Sequence, residues 1–119
     1  RGGEGVDSIV GGIGADVIEG GGADDFLQGG TGNDTMHGGD GNDLLIGASG
    51  DDSMLGGDGN DRLLGGSGSD LLLGGDGDDT LRGQAGDDTI ATGDGQDTVV
   101  DQTALIDEQF TFLPDWIDA

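Results

Sequence analysis

Gly38-Gly39-Asp40-Gly41-Asn42-Asp43-Leu44-Leu45-Ile46 and, eighteen residues on, Gly56-Gly57-Asp58-Gly59-Asn60-Asp61-Arg62-Leu63-Leu64 are two copies of one nine-residue unit. On both sides of them the same unit tiles the chain from Gly2 to Val100 in eleven copies, without an insertion or deletion. The sixth position is aspartate in every copy: Asp7, Asp16, Asp25, Asp34, Asp43, Asp52, Asp61, Asp70, Asp79, Asp88 and Asp97. The eighth is always aliphatic or methionine: Ile9, Ile18, Leu27, Met36, Leu45, Met54, Leu63, Leu72, Leu81, Ile90 and Val99. So short a period, held so long, marks a solenoid whose units bury their apolar positions only by stacking.

Within one unit, two glycines, a variable residue and a third glycine make a turn whose backbone a Cβ would penalise. Asn or Asp at position five (Asp24, Asn33, Asn42, Asp51, Asn60, Asp78, Asp87) tolerates left-handed geometry. Positions seven to nine read as a short strand, with eight turned inward and seven and nine outward. One inward side chain per nine residues is a thin core. It does not offset the entropy of ordering so much chain, so the fold needs another source of stability.

Composition points to that source. The chain has 119 residues, fitting one domain, with 26 carboxylates against three basic side chains and a formal charge of -23. Low hydrophobicity with high net charge is the signature of disorder, but a disordered tail has no reason to keep two columns in register. The charge excludes nucleic acid as a partner and repels an anionic membrane surface. A dense carboxylate array instead attracts hard cations, and calcium takes oxygen ligands. There is no cysteine for disulfides or thiolate metal sites. No apolar run approaches the roughly 18–20 residues of a membrane-spanning helix. The chain starts at Arg1, inside the pattern and without a leader, which gives the expectation of a piece flanked by further domains of a larger parent.

These columns resemble the repeats-in-toxin (RTX) nonapeptide G-G-x-G-x-D-x-U-x, a calcium-binding repeat. The resemblance covers residues 2–100 and sets the expected boundaries: a calcium-binding roll over 1–100 and a C-terminal capping segment over 101–119. It implies an all-β fold, a right-handed parallel β-roll (β-solenoid) of eleven nonapeptide half-turns in two short-stranded sheets. It also implies calcium between repeats n and n+2, held by the carbonyls of positions two and four and the aspartate of loop n. Loop n+2 adds the carbonyls of positions one and three and its own aspartate, each interior aspartate bridging two ions.

Carried over residue by residue, the first two loops supply Gly3 and Gly5, then Gly12 and Gly14. Loops three to five supply Gly20, Gly21, Gly22 and Ala23; Gly29, Gly30, Thr31 and Gly32; and Gly38, Gly39, Asp40 and Gly41. Loops six and seven supply Gly47, Ala48, Ser49 and Gly50, then Gly56, Gly57, Asp58 and Gly59. Loops eight and nine supply Gly65, Gly66, Ser67 and Gly68, then Gly74, Gly75, Asp76 and Gly77. The last two supply Gly83 and Ala85, then Thr92 and Asp94. Five odd pairs and four even pairs give about nine ions, which would bring the charge from -23 to about -5. Four loops depart from the pattern: Ala23 at position four, Ala48 and Gln84 at position two, and Thr92 at position one. Carbonyl ligands survive these changes, but strain is expected wherever positive φ is required.

After Val100 the register breaks, since Ile106 falls where the next aspartate belongs. Phe110-Thr111-Phe112-Leu113, with Pro114 and Trp116, reads as an aromatic edge that could close the last coil. Residues 101–109 read as a helical turn or two.

His37 stands at an outward position nine and reads as solvated surface. The Asp pairs, such as Asp51–Asp52 and Asp78–Asp79, read as metal loops rather than acid–base dyads, and no nucleophile elbow or HExxH motif occurs. No enzymatic activity is expected. Outward threonines (Thr35, Thr80, Thr89, Thr98) are split between the sheets, against an ice-binding array. Phe26, Leu44, Ile46 and Leu64 on one sheet, and Leu55, Leu71 and Leu73 on the other, stand as outward apolar neighbours. They serve either as a docking surface, weak self-association included, or simply as tolerated aliphatics. The resemblance implies an extracellular, secreted protein exported by a type I system, unfolded at low calcium and folding outside; a cytolytic toxin or an enzyme could be the parent.

Overall fold

The structure, a computed structural model, describes residues 2–100 and the backbone of residues 105–106. Across these residues twelve strands follow one another. They are β1 (Ser8–Ile13), β2 (Val17–Gly21), β3 (Phe26–Thr31), β4 (Thr35–Asp40), β5 (Leu44–Ser49) and β6 (Ser53–Asp58), then β7 (Arg62–Ser67), β8 (Leu71–Asp76), β9 (Thr80–Ala85), β10 (Thr89–Ala91), β11 (Thr98–Val99) and β12 (Leu105–Ile106). Odd strands form one parallel sheet in the order β1-β3-β5-β7-β9-β11, and even strands form the other, β12-β10-β8-β6-β4-β2. The chain is therefore an all-β solenoid of about five turns, as the period implies. No helix among the described residues is long and apolar enough to cross a membrane.

The ladders keep the sequence period. Leu27 lies beside Leu45, and Leu45 beside Leu63, so each position stacks on itself one coil on. The position-eight residues from Ile18 to Ile90 form the buried core, with Ile9 and Val99 packed against its two ends. A single column per sheet thus fills the interior, as the strand alternation predicts.

Three expectations are corrected. First, most strands are six residues, not three: β5 joins Leu44, Leu45 and Ile46 to Gly47, Ala48 and Ser49 of the next repeat. Glycine is a poor strand former, so the second half did not read as strand; here the ladder to the neighbouring coils carries it. Only positions four to six are left to turn the chain. Second, β1–β11 are the eleven half-turns of the repeats, and β12 adds a strand beyond them that the repeat count did not give. Third, Leu105 and Ile106 are strand and not helical turn. They pair with Thr89 and Ile90, an offset of sixteen residues where every earlier ladder has eighteen, so the chain rejoins the even sheet two residues early. The expected aromatic cap lies outside the described residues.

Candidate metal centre

Position six closes each three-residue turn with its side chain facing inward. From Asp25 to Asp88 these aspartates are 0–4% exposed, a burial that carboxylates accept only when something compensates it. Part of the compensation lies within the column. Oδ1 of each aspartate accepts the main-chain N–H of the aspartate two repeats earlier: Asp25 from Asp7, Asp43 from Asp25, Asp61 from Asp43, all at 2.8 Å. The even row repeats this through Asp34, Asp52, Asp70 and Asp88.

Oδ2 has no such partner. In all nine loops from Asp7 to Asp79 it is buried and accepts no hydrogen bond. What faces it is a space bordered by more oxygen. A Cβ placed on Gly38 would fall 2.5 Å from Asp43 Oδ2 and 2.7 Å from the Gly56 carbonyl oxygen. One placed on Gly74 would fall 2.6 Å from Asp79 Oδ2 and 2.7 Å from the Thr92 carbonyl oxygen. Position one is therefore glycine because a side chain would fill this cradle, not because of its φ, which stays outside the positive region. The carboxylate of loop n and the position-one carbonyl of loop n+2 converge on one point, and the Oδ2 there accepts no hydrogen bond.

The remaining candidate carbonyls are arranged differently. Positions two and four carry positive φ, from Gly12 and Gly14 through Gly93 and Gly95, which turns their peptide planes along the row. A Cβ on Gly57 would strike the Gly39 carbonyl, and one on Gly59 the Gly41 carbonyl, so these oxygens point at the equivalent position of the next coil. Gly3 O accepts the Gly22 N–H at 2.8 Å. Position-three carbonyls also join the turn-to-turn ladder, with Thr31, Ser49, Asp58, Ser67 and Ala85 each accepting a position-four N–H at 2.8–3.1 Å. Each such carbonyl keeps a second lone pair.

Electrostatics mark the same column. Burial raises Asp61 and Asp79 to about 7 from an ordinary 3.8, against the lowering effect of the Oδ1 hydrogen bond. Asp43 and Asp70 rise to about 6 for the same reason, with neighbouring aspartates adding repulsion, and Asp52 and Asp97 also rise. Among the described residues no three acidic, His or Cys side chains converge on one point. The donor set is instead carboxylate plus main-chain carbonyl, all oxygen, which suits a hard cation that tolerates irregular geometry; calcium does and zinc does not.

A model of the RTX calcium-binding nonapeptide repeat, in four copies, matches residues 1–36, 28–63, 37–72 and 64–99. The chain belongs to this family. It is a calcium-binding RTX β-roll, and its orphaned Oδ2 column fits the ion by which the family is described. No curated protein and no solved structure matches the chain.

The RTX chain also has a second ladder that the sequence reading missed. Position-five residues are not left-handed, so the expectation that Asn and Asp serve φ there is corrected. Their side chains accept main-chain N–H groups from the coil that follows: Asp24 Oδ1 from Asn42, Asn42 Oδ1 from Asn60, Asn60 Oδ1 from Asp78, and Asp78 Oδ1 from Gln96, at 2.8–2.9 Å. Asn33 and Asp51 do the same for Asp51 and Ser69 in the even row. The clue was the recurrence of a short carbonyl-bearing side chain at an exposed turn position.

Of the four departures, Ala23 (φ 71°), Ala48 (φ 85°) and Gln84 (φ 77°) do sit in left-handed backbone and carry the expected strain. Thr92 does not; it is buried at position one, and its carbonyl oxygen borders the Asp79 cradle as the position-one glycines' do elsewhere.

Proposed function

We propose that this RTX roll is the calcium-dependent folding module of a secreted protein, unfolded where calcium is scarce and ordered where it is plentiful. The observation that carries the reading is the set of nine buried, unpartnered Oδ2 atoms from Asp7 to Asp79, eight of them beside the position-one carbonyl of the coil that follows. Without a cation this column costs desolvation and mutual repulsion, and the thin apolar column beside it supplies little in return. With one ion per cradle, about nine in all, the same oxygens become ligands, and binding free energy becomes folding free energy. Asp n and the carbonyls of loops n and n+2 would hold each ion, which supplies the positive charge and the coil-to-coil cross-link. Export in the unfolded state by a type I system, and folding outside the cell as part of a toxin or secreted enzyme, follow from that coupling. The roll itself is proposed to have no catalytic role, since its titration-shifted carboxylates are sealed from substrate inside the turns.

Far-UV circular dichroism during a calcium titration, with magnesium as control, tests this. A cooperative coil-to-β transition with calcium alone is expected; full β signal in chelator would refute the coupling.

One observation favours a second reading, adhesion or docking to a flanking domain. Phe26 pairs with Leu44, and Ile46 with Leu64, on an outward face that also carries Arg62 and Arg82 and no carboxylate. Sedimentation of the calcium-loaded chain tests its self-associating form: concentration-dependent dimers are expected, and a monomer at high concentration removes it.

A further inference from the structure

The chain has two methionines, and the fold makes them neighbours. Met36 and Met54 occupy position eight of repeats four and six and pair directly across β4 and β6. They are 1% and 0% exposed. Along the column Met36 is followed by Ile18 on one side, and Met54 by Leu72 on the other. Because each half-turn has one core side chain, these thioethers are the whole apolar filling of two successive even half-turns. Nothing in the buried cluster around them donates a hydrogen bond: its members are Ile, Leu and Met.

We infer that Met36 and Met54 form an oxidation site that is open only before the roll folds, with hydroperoxides as the reagent class. In an unordered chain both sulfurs meet solvent. A sulfur lone pair attacks one peroxide oxygen, the O–O bond breaks, and the leaving hydroxide takes the remaining proton to become water. Sulfur is oxidised by two electrons to the sulfoxide and the peroxide is reduced. The product is polar and chiral where a flexible apolar chain was needed. The folded column has no donor for the new oxygen, so burial leaves it unsatisfied. In the folded roll the same sulfurs are out of reach. Order of events thus decides the outcome: calcium before peroxide protects the chain, and peroxide before calcium disables it.

The inference rests on the reading that the chain is unordered without calcium, and the experiment separates the two. The full chain is treated with hydrogen peroxide in chelator or in saturating calcium; sulfoxides are counted by peptide mass spectrometry, and folding is followed by circular dichroism. Sulfoxide at both positions in chelator and at neither in calcium is expected. At the calcium concentration that half-folds the untreated chain, the oxidised chain falls to about a hundredth folded, roughly tenfold per sulfoxide. The M36L/M54L double variant, volume-conserving in the core, folds with calcium and keeps its transition after peroxide. It thereby separates methionine from His37 and Trp116 as the target. An oxidised chain that folds at the untreated midpoint overturns the inference and leaves calcium-coupled folding intact. A chain already β-structured in chelator, with both methionines unoxidised there, refutes calcium-coupled folding and the calcium dependence of the site together.

Discussion

Two columns of short acidic and amide side chains run along this roll, one inside its turns and one outside, and they use the same bond in opposite directions. Inside, Asp43 Oδ1 accepts the N–H of Asp25, reaching back one coil. Outside, Asn42 Oδ1 accepts the N–H of Asn60, reaching forward one coil. The difference lies in the second oxygen or nitrogen. The outer residues are exposed, and water completes them. The inner ones are sealed, so Asp43 Oδ2 lies beside the Gly56 carbonyl without a hydrogen-bond donor. Hydrogen bonding along the row is therefore common to both columns, and the demand for a cation belongs to the inner one alone. A side chain that looks interchangeable in composition, Asp or Asn, is structural at position five and metal-demanding at position six.

Asp61→Asn should break this contrast most. It keeps the Oδ1 acceptor for Asp43 and turns the orphaned oxygen into an amide, so a mid-row site is lost with a destabilisation of about 3 kcal/mol or more. Calorimetric titration should show fewer ions bound and a higher calcium midpoint. Next is pH. Asp43, Asp61, Asp70 and Asp79 have folded-state values of about 6–7 against 3.8 ordinarily, so the folded metal-free chain binds more protons than the unfolded one in between. Their contribution to metal-free stability is present below about pH 4 and lost as pH rises through about 6–7. Chelator-treated protein should then hold more β signal at acid pH than at about pH 8, while the calcium midpoint falls as pH rises, because the ion must displace those protons.

Smaller effects should follow at the backbone and the outer ladder. Ala48→Gly removes a Cβ from φ 85° and should raise the melting temperature of the calcium-loaded roll, by about 1 kcal/mol of stability. Asn60→Ala deletes one exposed acceptor for Asp78 and should cost about 0.5–1.5 kcal/mol. Its ion count in the same titration should not change. If Asn60→Ala lost ions as Asp61→Asn does, the division between the columns would be wrong.

How much of this was legible in the sequence follows from where each residue's reason lies. Asp at six and the aliphatic column at eight are dictated by what faces the interior, and a strict period displays such positions without alignment. The sheet order follows once eighteen residues make one coil. Position five was misread because its role is a bond to a backbone group eighteen residues away, which leaves no mark except composition. Position-one glycine was assigned to turn flexibility, when the constraint is the oxygen cradle beneath it. Leu105–Ile106 was hidden because the register shifts by two and the aspartate that would signal the turn is missing. Thr92 was grouped with the strained positions, but its φ is not positive and its carbonyl oxygen borders the Asp79 cradle as a glycine's would.

From Asp7 to Asp79, each buried Oδ2 and the position-one carbonyl of the coil that follows are proposed to hold one calcium ion. Native mass spectrometry of the calcium-loaded chain counts those ions directly. A folded charge-state series that converges on about nine retained calcium ions is expected, one for each n/n+2 pair of loops across the two rows. A folded series retaining none, or only one or two, would contradict it.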